Sequence, residues 1–298
     1  AAIILVRGIA FDGLLHVYGN GSIENLMGLA GLEKVTSQAT ISDNNELKSC
    51  MGLGKLKSIG GGLVLQKNAS LKNLLGLHGL TSVGGGLTID DNDDLQNIDA
   101  LSSLVSLGDT MYIDSNAELK NLDGLSGLSN NNGKSIFVRY NDELVHIDGL
   151  ANFKGTVNVV ELSHNKDLND IKGLAGIIAM STGLIVKGSD ALENLAGLDN
   201  LQSLGYLTVE DNQVLTALTG LSGLKNVGNL YIRKNTLLKN VNALASLAGS
   251  IELLTLMENT SLDDLSGFAG VTSASSIRVT DCPNLVDLHG LHNLEMVT

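Results

Sequence analysis

Between Asn20 and Cys282 one frame recurs every 23 to 25 residues, and no other property of the chain constrains its fold as tightly. The frame reads L-x-[IVL]-x-x-N-x-x-L-x-x-L-x-G-L-x-x-L-x-x-[VIL], closed by a glycine-rich corner. Its polar column runs Asn20, Asn44, Asn68, Asn92, Asn116, Asn141, Asn165, Ser189, Asn212, Asn235, Asn259 and Cys282, which makes twelve copies. Two apolar columns keep step with it. One starts at Ile23, Leu47, Leu71 and ends at Leu285; the other starts at Leu29, Leu53, Leu77 and ends at Leu291. One copy alone buries too little apolar surface to offset the entropy of ordering its backbone. The copies must stack, and stability must come largely from neighbour on neighbour.

Each column has a local physical reading. Leu87 and Ile89 alternate at period two, so they mark a short strand with one buried face. Leu95, Ile98, Leu101, Leu104 and Leu107 recur every third residue, which suits tight arcs or extended segments and not an amphipathic helix. The glycines before the third leucine (Gly28, Gly52, Gly76, Gly124, Gly149) suit a bend where a Cβ would crowd. An asparagine just after the strand can bond backbone groups of its own turn and the next, satisfying polar groups inside the coil. The predicted fold is a repeat solenoid, a right-handed β-helix-like coil with a parallel sheet face, short arcs and few or no helices. It spans residues 1–298 as one unit of about twelve turns, with residues 1–12 a partial leading turn and no linker or second domain. A small loop is expected at Asn130–Gly133, beside which the last apolar column reads Asn131 and Thr156. The composition agrees, with 35 glycines, no tryptophan and 3% aromatics.

The stretch Leu87-Thr88-Ile89-Asp90-Asp91-Asn92-Asp93-Asp94-Leu95, with its L-x-G-L-x-x-L-x-x-V tail, resembles the leucine-rich repeat superfamily. The leucine three residues after the asparagine makes it similar to the variant found in receptor L domains and some fungal cell-wall proteins. The resemblance covers nearly the whole chain and implies the fold, while fold does not fix function. Receptor L domains carry fewer turns and are flanked by disulfide-rich modules, so the resemblance does not bring a signalling role with it. The chain closes at Thr298 at the end of a turn, where another corner is expected. Solenoid ends need polar caps; flanking sequence, or ends stacked on neighbours, is therefore expected.

Charge narrows the partners. The formal net charge is -13 at pH 7, which argues against nucleic acid and anionic membranes, both of which need a basic footprint. No apolar run reaches the roughly 18 residues of a membrane span, so no direct membrane insertion is expected. The apolar opening Ala1–Val6 reads as the sequel to a removed signal peptide or as a cut within a longer chain. Cys50 and Cys282 both fall in inward columns about ten turns apart, roughly 45–50 Å at strand spacing. That is far beyond the roughly 7 Å Cα reach of a disulfide, so both read as small buried core residues.

The search for chemistry yields little. Asp90-Asp91-Asn92-Asp93-Asp94 lacks the glycine and acid that a calcium loop needs, since Leu95 and Leu101 stand there, and it reads as a solvated turn. The six histidines (His16, His78, His146, His164, His289, His292) form no metal motif. No nucleophile elbow or phosphate loop occurs, and no cofactor is expected. The outward strand column is His16, Thr40, Val64, Thr88, Tyr112, Phe137, Glu161, Ile185, Thr208, Tyr231, Thr255 and Arg278; it holds no carboxylate pair on adjacent turns, so no enzyme is expected. Within it Tyr112 and Phe137 are neighbours, with Arg139 and Tyr140 beside them, a composition typical of contact hot spots. Asn20, Asn68 and Asn259 begin N-glycosylation sequons, yet each is also a ladder position, and the structural role is favoured. The expected function is that of a non-catalytic extracellular or cell-surface protein, structural or adhesive. It would present its sheet face to protein or glycan partners and assemble end to end through open ends. A ligand-binding receptor ectodomain is the alternative, and a repeat-scaffold enzyme would require acids clustered on one face.

Overall fold

A computed structural model describes residues 9–129 and 133–297. It is a parallel β-solenoid of about twelve turns. The chain divides into two compact units, Ala1–Phe153 and Lys154–Thr298. The opening Ala1–Val6, the loop residues 130–132 and Thr298 lie outside the described residues.

In the first unit the strands Leu15–Tyr18, Ala39–Ser42, Leu63–Gln66, Leu87–Asp90, Met111–Asp114 and Ile136–Arg139 pair in parallel in chain order. Their register is strict. Leu87 stands opposite Leu63 and Met111, and Ile89 opposite Leu65 and Ile113. Leu87 and Ile89 are buried while Thr88 is half-buried, as period-two alternation requires. A second parallel sheet joins Ile9–Phe11, Leu32–Val35, Ser58–Ile59, Ser82–Val83 and Ser106–Leu107. The sequence reading placed these residues on the arc. They are extended because the last apolar column (Val35, Ile59, Val83, Leu107) stacks into the core as strands do. A glycine corner then separates the two sheets. A Cβ on Gly84 would lie 2.2 Å from the carbonyl oxygen of Gly60, so the corners of adjacent turns touch backbone to backbone.

The second unit is built on the same frame with the corner straightened. Its strands Gly155–Ser163, Ile177–Lys187, Ser203–Glu210, Asn226–Arg233, Gly249–Met257 and Val271–Thr280 run eight to eleven residues. Here Ser181-Thr182-Gly183 or Gly205-Tyr206 stands where the first unit has the triplets Gly60-Gly61-Gly62 and Gly84-Gly85-Gly86, and the strand continues through the corner. Register shifts between Met180 and Gly183, and between Val157 and Val159, take up the bend as bulges.

The arcs account for the period of three. Leu95 N–H donates to Asn92 O at 3.1 Å, Leu101 to Ile98 O at 2.9 Å and Leu104 to Leu101 O at 2.8 Å. Bonds three residues apart eclipse side chains at that spacing, so a leucine every third residue keeps one inward row. Single 3₁₀ turns such as Asp99–Leu101, Asp123–Leu125 and Lys172–Leu174 mark the sharpest bends, and no α-helix occurs among the described residues. At the bend of Gly76 φ is +116°, and a Cβ would lie 2.0 Å from Cys50 O, which leaves no room for a side chain. A second polar column serves these bends. Asn25, Asn73, Asn121, Asp170, Asn194, Asn240, Asp264 and Asp287 each accept the N–H two residues on, as Asx turns.

The asparagine ladder ties turn to turn. Asn92 donates its N–H and its Nδ2 to Asn116 Oδ1 at 3.3 and 3.1 Å, and Nδ2 also reaches Leu65 O and Asp90 O at 3.0 and 3.1 Å. Its own Oδ1 accepts the N–H and Nδ2 of Asn68. One amide therefore serves three successive turns. The residue before each ladder position is left-handed: Asp43, Lys67, Asp91, Ser115, Tyr140, His164, Asp211, Lys234, Glu258 and Asp281 have φ of 53–58°, with Gly19 and Gly188 in the same column. Asp91 N–H still donates to Asp114 O at 3.1 Å, extending the sheet, before the left-handed step turns Asn92 N–H inward. Side chains there oppose that conformation by roughly 1–2 kcal/mol each, and the ladder bonds override them.

At Ser189 the ladder is incomplete. Ser189 N–H donates to Asn212 Oδ1 at 3.1 Å, but its short side chain is buried and its Oγ has no hydrogen-bond partner. Asn92→Ala leaves buried donors and acceptors on three turns unpaired and should cost about 3 kcal/mol in urea unfolding. Ser189→Asn should raise stability by about 1 kcal/mol; an unchanged or lower midpoint would show that the ladder cannot be extended through that turn.

Candidate functional site

The outward side of the sheet in the first unit is a grid of columns fixed by register. Tyr112 stands opposite Phe137, and Asp114 opposite Arg139. Parallel strands lie roughly 4.8 Å apart, so two rings in one column must meet face to face. They do, with centroids 5.0 Å apart and planes 6° from parallel. The Arg139 guanidinium lies 5.2 Å from the Phe137 centroid. It grips Asp114 with two bonds, Nε to Oδ1 at 3.1 Å and Nη2 to Oδ2 at 2.5 Å. The fold thus brings Tyr112, Phe137 and Arg139 together. Tyr140 stands in the left-handed column beyond the strand and is 55% exposed.

The sequence reading passed over a second copy of this construction. In the second unit Arg233 lies 5.3 Å from the Tyr231 centroid and bonds Glu210 on the preceding turn at 2.7 Å. Lys187 Nζ approaches Glu210 at 3.6 Å. Both copies share a signal in the chain: aromatic-x-Arg (Phe137-Val138-Arg139, Tyr231-Ile232-Arg233) with an acid one turn before the arginine. Testing only the ring column for carboxylates hides those acids, which stand two residues further along the strand.

In that further column Asp90 and Asp114 are register partners. They do not share a proton between them, because Arg139 takes up Asp114 with two bonds while Gln66 Nε2 donates to Asp90 Oδ2 at 2.6 Å. The Asp90 carboxyl is pushed above the ordinary carboxylate range, first by burial and further by Asp114 and Asp91; the Gln66 bond and the Lys67 charge oppose this.

The remaining candidates are placed as follows. Asn44, Asn92, Asn116, Asn141, Asn165, Asn212 and Asn235 are fully buried, as are the sequon residues Asn68 and Asn259. A glycan on either of the last two requires its turn to open. Asn20 is half-buried, its Nδ2 donating to Tyr18 O and Asn44 Oδ1. Cys50 is buried, and burial pushes its thiol up to about 12. Cys282 departs from the inward reading. It is half-exposed, and its Sγ donates to Thr280 O at 3.5 Å. His289 and His292 stack at 4.8 Å on the surface. Among the described residues no three metal-ligating side chains converge, and no helix is long and apolar enough to cross a membrane. Two surface features had not been anticipated. A groove of about 540 Å³ follows the second sheet of the first unit past Ser58, Ser82 and Ser106, with Lys34 and Lys134 at its ends. On the arc, Met27, Met51 and Leu75 occupy one column on successive turns at 54%, 45% and 51% exposure.

No family model matches the chain, and no curated protein matches it. Among solved structures it is similar to the crystal structure of a TLR13–ssRNA13 complex, with a TM-score of 0.30 and 15% identity. The match covers 92% of this chain and 50% of that one, so the chain spans half the length of the structure it matches.

The Asp90 shift carries a pH dependence. The folded protein holds this proton more tightly than the unfolded chain, whose aspartates titrate near ~3.9. The group's contribution is therefore fully present below that value and is lost as pH rises through the raised folded value. Asp90→Asn should raise the urea midpoint at pH 7, and the gain should fade as the pH falls to about 3.5; an equal gain at both would assign it to packing.

Proposed function

We propose that this chain is a non-catalytic extracellular or cell-surface repeat protein, structural or adhesive, that binds a partner through the sheet face at Tyr112, Phe137 and Arg139. The observation that carries this reading is the preorganised cluster itself. Stacking fixes both rings, and a two-bond grip fixes the arginine, so little side-chain entropy remains to be lost on association. Fixed aromatics with an arginine have the composition of interface anchors.

The ring geometry favours a protein over a glycan. A sugar spreads flat over aromatic faces that lie open to solvent, whereas in this pair each ring has one face taken up by the other, so the two together form no flat platform. The acidic balance, at -13, suits a cationic partner surface. A ligand-binding receptor ectodomain remains the alternative, in which the same face would hold the ligand. The exposed Met27, Met51 and Leu75 column on the arc is the competing surface against which the sheet face is tested.

The test measures binding of the immobilised chain to a panel of secreted and cell-surface proteins and to a glycan array. For each ligand that the wild type retains, the double variant Tyr112→Ser, Phe137→Ser should weaken binding by about 30-fold or more. The triple variant Met27→Ser, Met51→Ser, Leu75→Ser should stay within about threefold, on the same scale. The reverse pattern moves the contact to the arc and overturns the proposal.

A further inference from the structure

The ring–arginine–acid construction occurs twice in complete form, and a third time without its arginine. In each complete copy a ring stands in the outward column, an arginine two residues on lies over it, and an acid one turn back grips the arginine. The sets are Phe137, Arg139, Asp114 and Tyr231, Arg233, Glu210. Tyr112 has the same ring position, and the acid one turn back is Asp90, related to it by the same register. Two residues after Tyr112, however, stands Asp114, which belongs to Arg139.

From this we infer that Tyr112 and Asp90 form a seat for an arginine side chain supplied by a protein partner. The inference rests on the sheet-face reading and names the group that this face receives. Phe137 covers one face of Tyr112. The other looks toward the preceding turn, where the column holds only Thr88 and then Val64, side chains too small to cover it. Tyr112 is 38% exposed. Asp90 Oδ2 accepts from Gln66, and among the described residues none donates to Oδ1. The charge around the seat is unbalanced. Asp90, Asp91 and Asp114 crowd it, Arg139 grips Asp114, and Lys67, though its charge is felt at Asp90, makes no ion pair with it. A guanidinium fits where an ammonium does not, because it is planar, stacks on a ring and still presents a donor edge to a carboxylate. Both internal copies use arginine.

The probe is the blocked peptide acetyl-tetra-arginine-amide, titrated into the intact chain, with affinity read by calorimetry for every variant and the site read from the ring-proton shifts of Tyr112. Acetyl-tetra-lysine-amide is the charge control. Tetra-arginine should move the Tyr112 signals in a saturable way and bind at least threefold tighter than tetra-lysine. Asp90→Asn and Tyr112→Leu should each weaken it at least fivefold. Asp263→Asn, which removes an exposed acid elsewhere, should leave it within twofold. Equal affinity for the two peptides, or equal losses from Asp90→Asn and Asp263→Asn, would reduce the effect to net charge and overturn the seat. If the Tyr112 signals stay still while the serine double variant still loses its ligand, the seat is overturned and the sheet-face reading stands.

Discussion

The structure depends on one hydrogen-bonding problem: a buried strand must end, turn, and leave no backbone group unpaired inside the coil. Asn92 solves it with a single amide that accepts from Asn68 and donates to Leu65, Asp90 and Asn116. Aspartate would lack the donor and serine the reach, as Ser189 Oγ shows. The solution requires a backbone step that L-residues resist, and the chain takes it with Lys67, Tyr140 and Glu258 as readily as with Gly188. A buried amide left unpaired costs more than a left-handed residue, so the ladder decides the conformation and the side chain before it is chosen for other reasons.

Strict register has a consequence outside as well as inside. Leu87 meets Leu63 and Met111 because each turn repeats the last, and for the same reason Tyr112 meets Phe137 and Arg139 meets Asp114. The outer face is a lattice with fixed neighbours, about one strand spacing across and two residues along. Contacts on it are set by column arithmetic. That is why the ring–arginine–acid construction can recur at Tyr231 with nearly the same separation, 5.3 Å against 5.2 Å.

What the sequence made legible follows from this division. Apolar columns and the asparagine ladder announce themselves because one residue type repeats. The left-handed column stays hidden because Asp43, Lys67, Tyr140 and His164 share a backbone angle and no chemistry. The bend-capping column is half visible, since Asn73 and Asp170 do alike what Ala217 and His146 interrupt. The second sheet at Ser58, Ser82 and Ser106 was not separable from the arc, because two-residue strands have no alternation to read. At the candidate site the rings and Arg139 were legible from the outward column. Their acids were not, because Asp114 and Glu210 belong to a different column, one turn earlier.

A lattice of this kind also limits how a binding face can be built. A globular site converges loops on one point; a solenoid face can only place neighbours beside neighbours, so selectivity must come from which cells of a repeated construction are filled. Where ring, arginine and acid are all present, the charges satisfy one another and the cell is closed, as at Tyr231 and Phe137. Where ring and acid stand without the arginine, burial and the like charges of Asp114 and Asp91 raise the energy of the Asp90 carboxylate, and an incoming cation lowers it. The completed cell at Phe137 thus holds rigid the ring beside which the incomplete one lies, and a partner that completes it meets a surface already ordered to receive it.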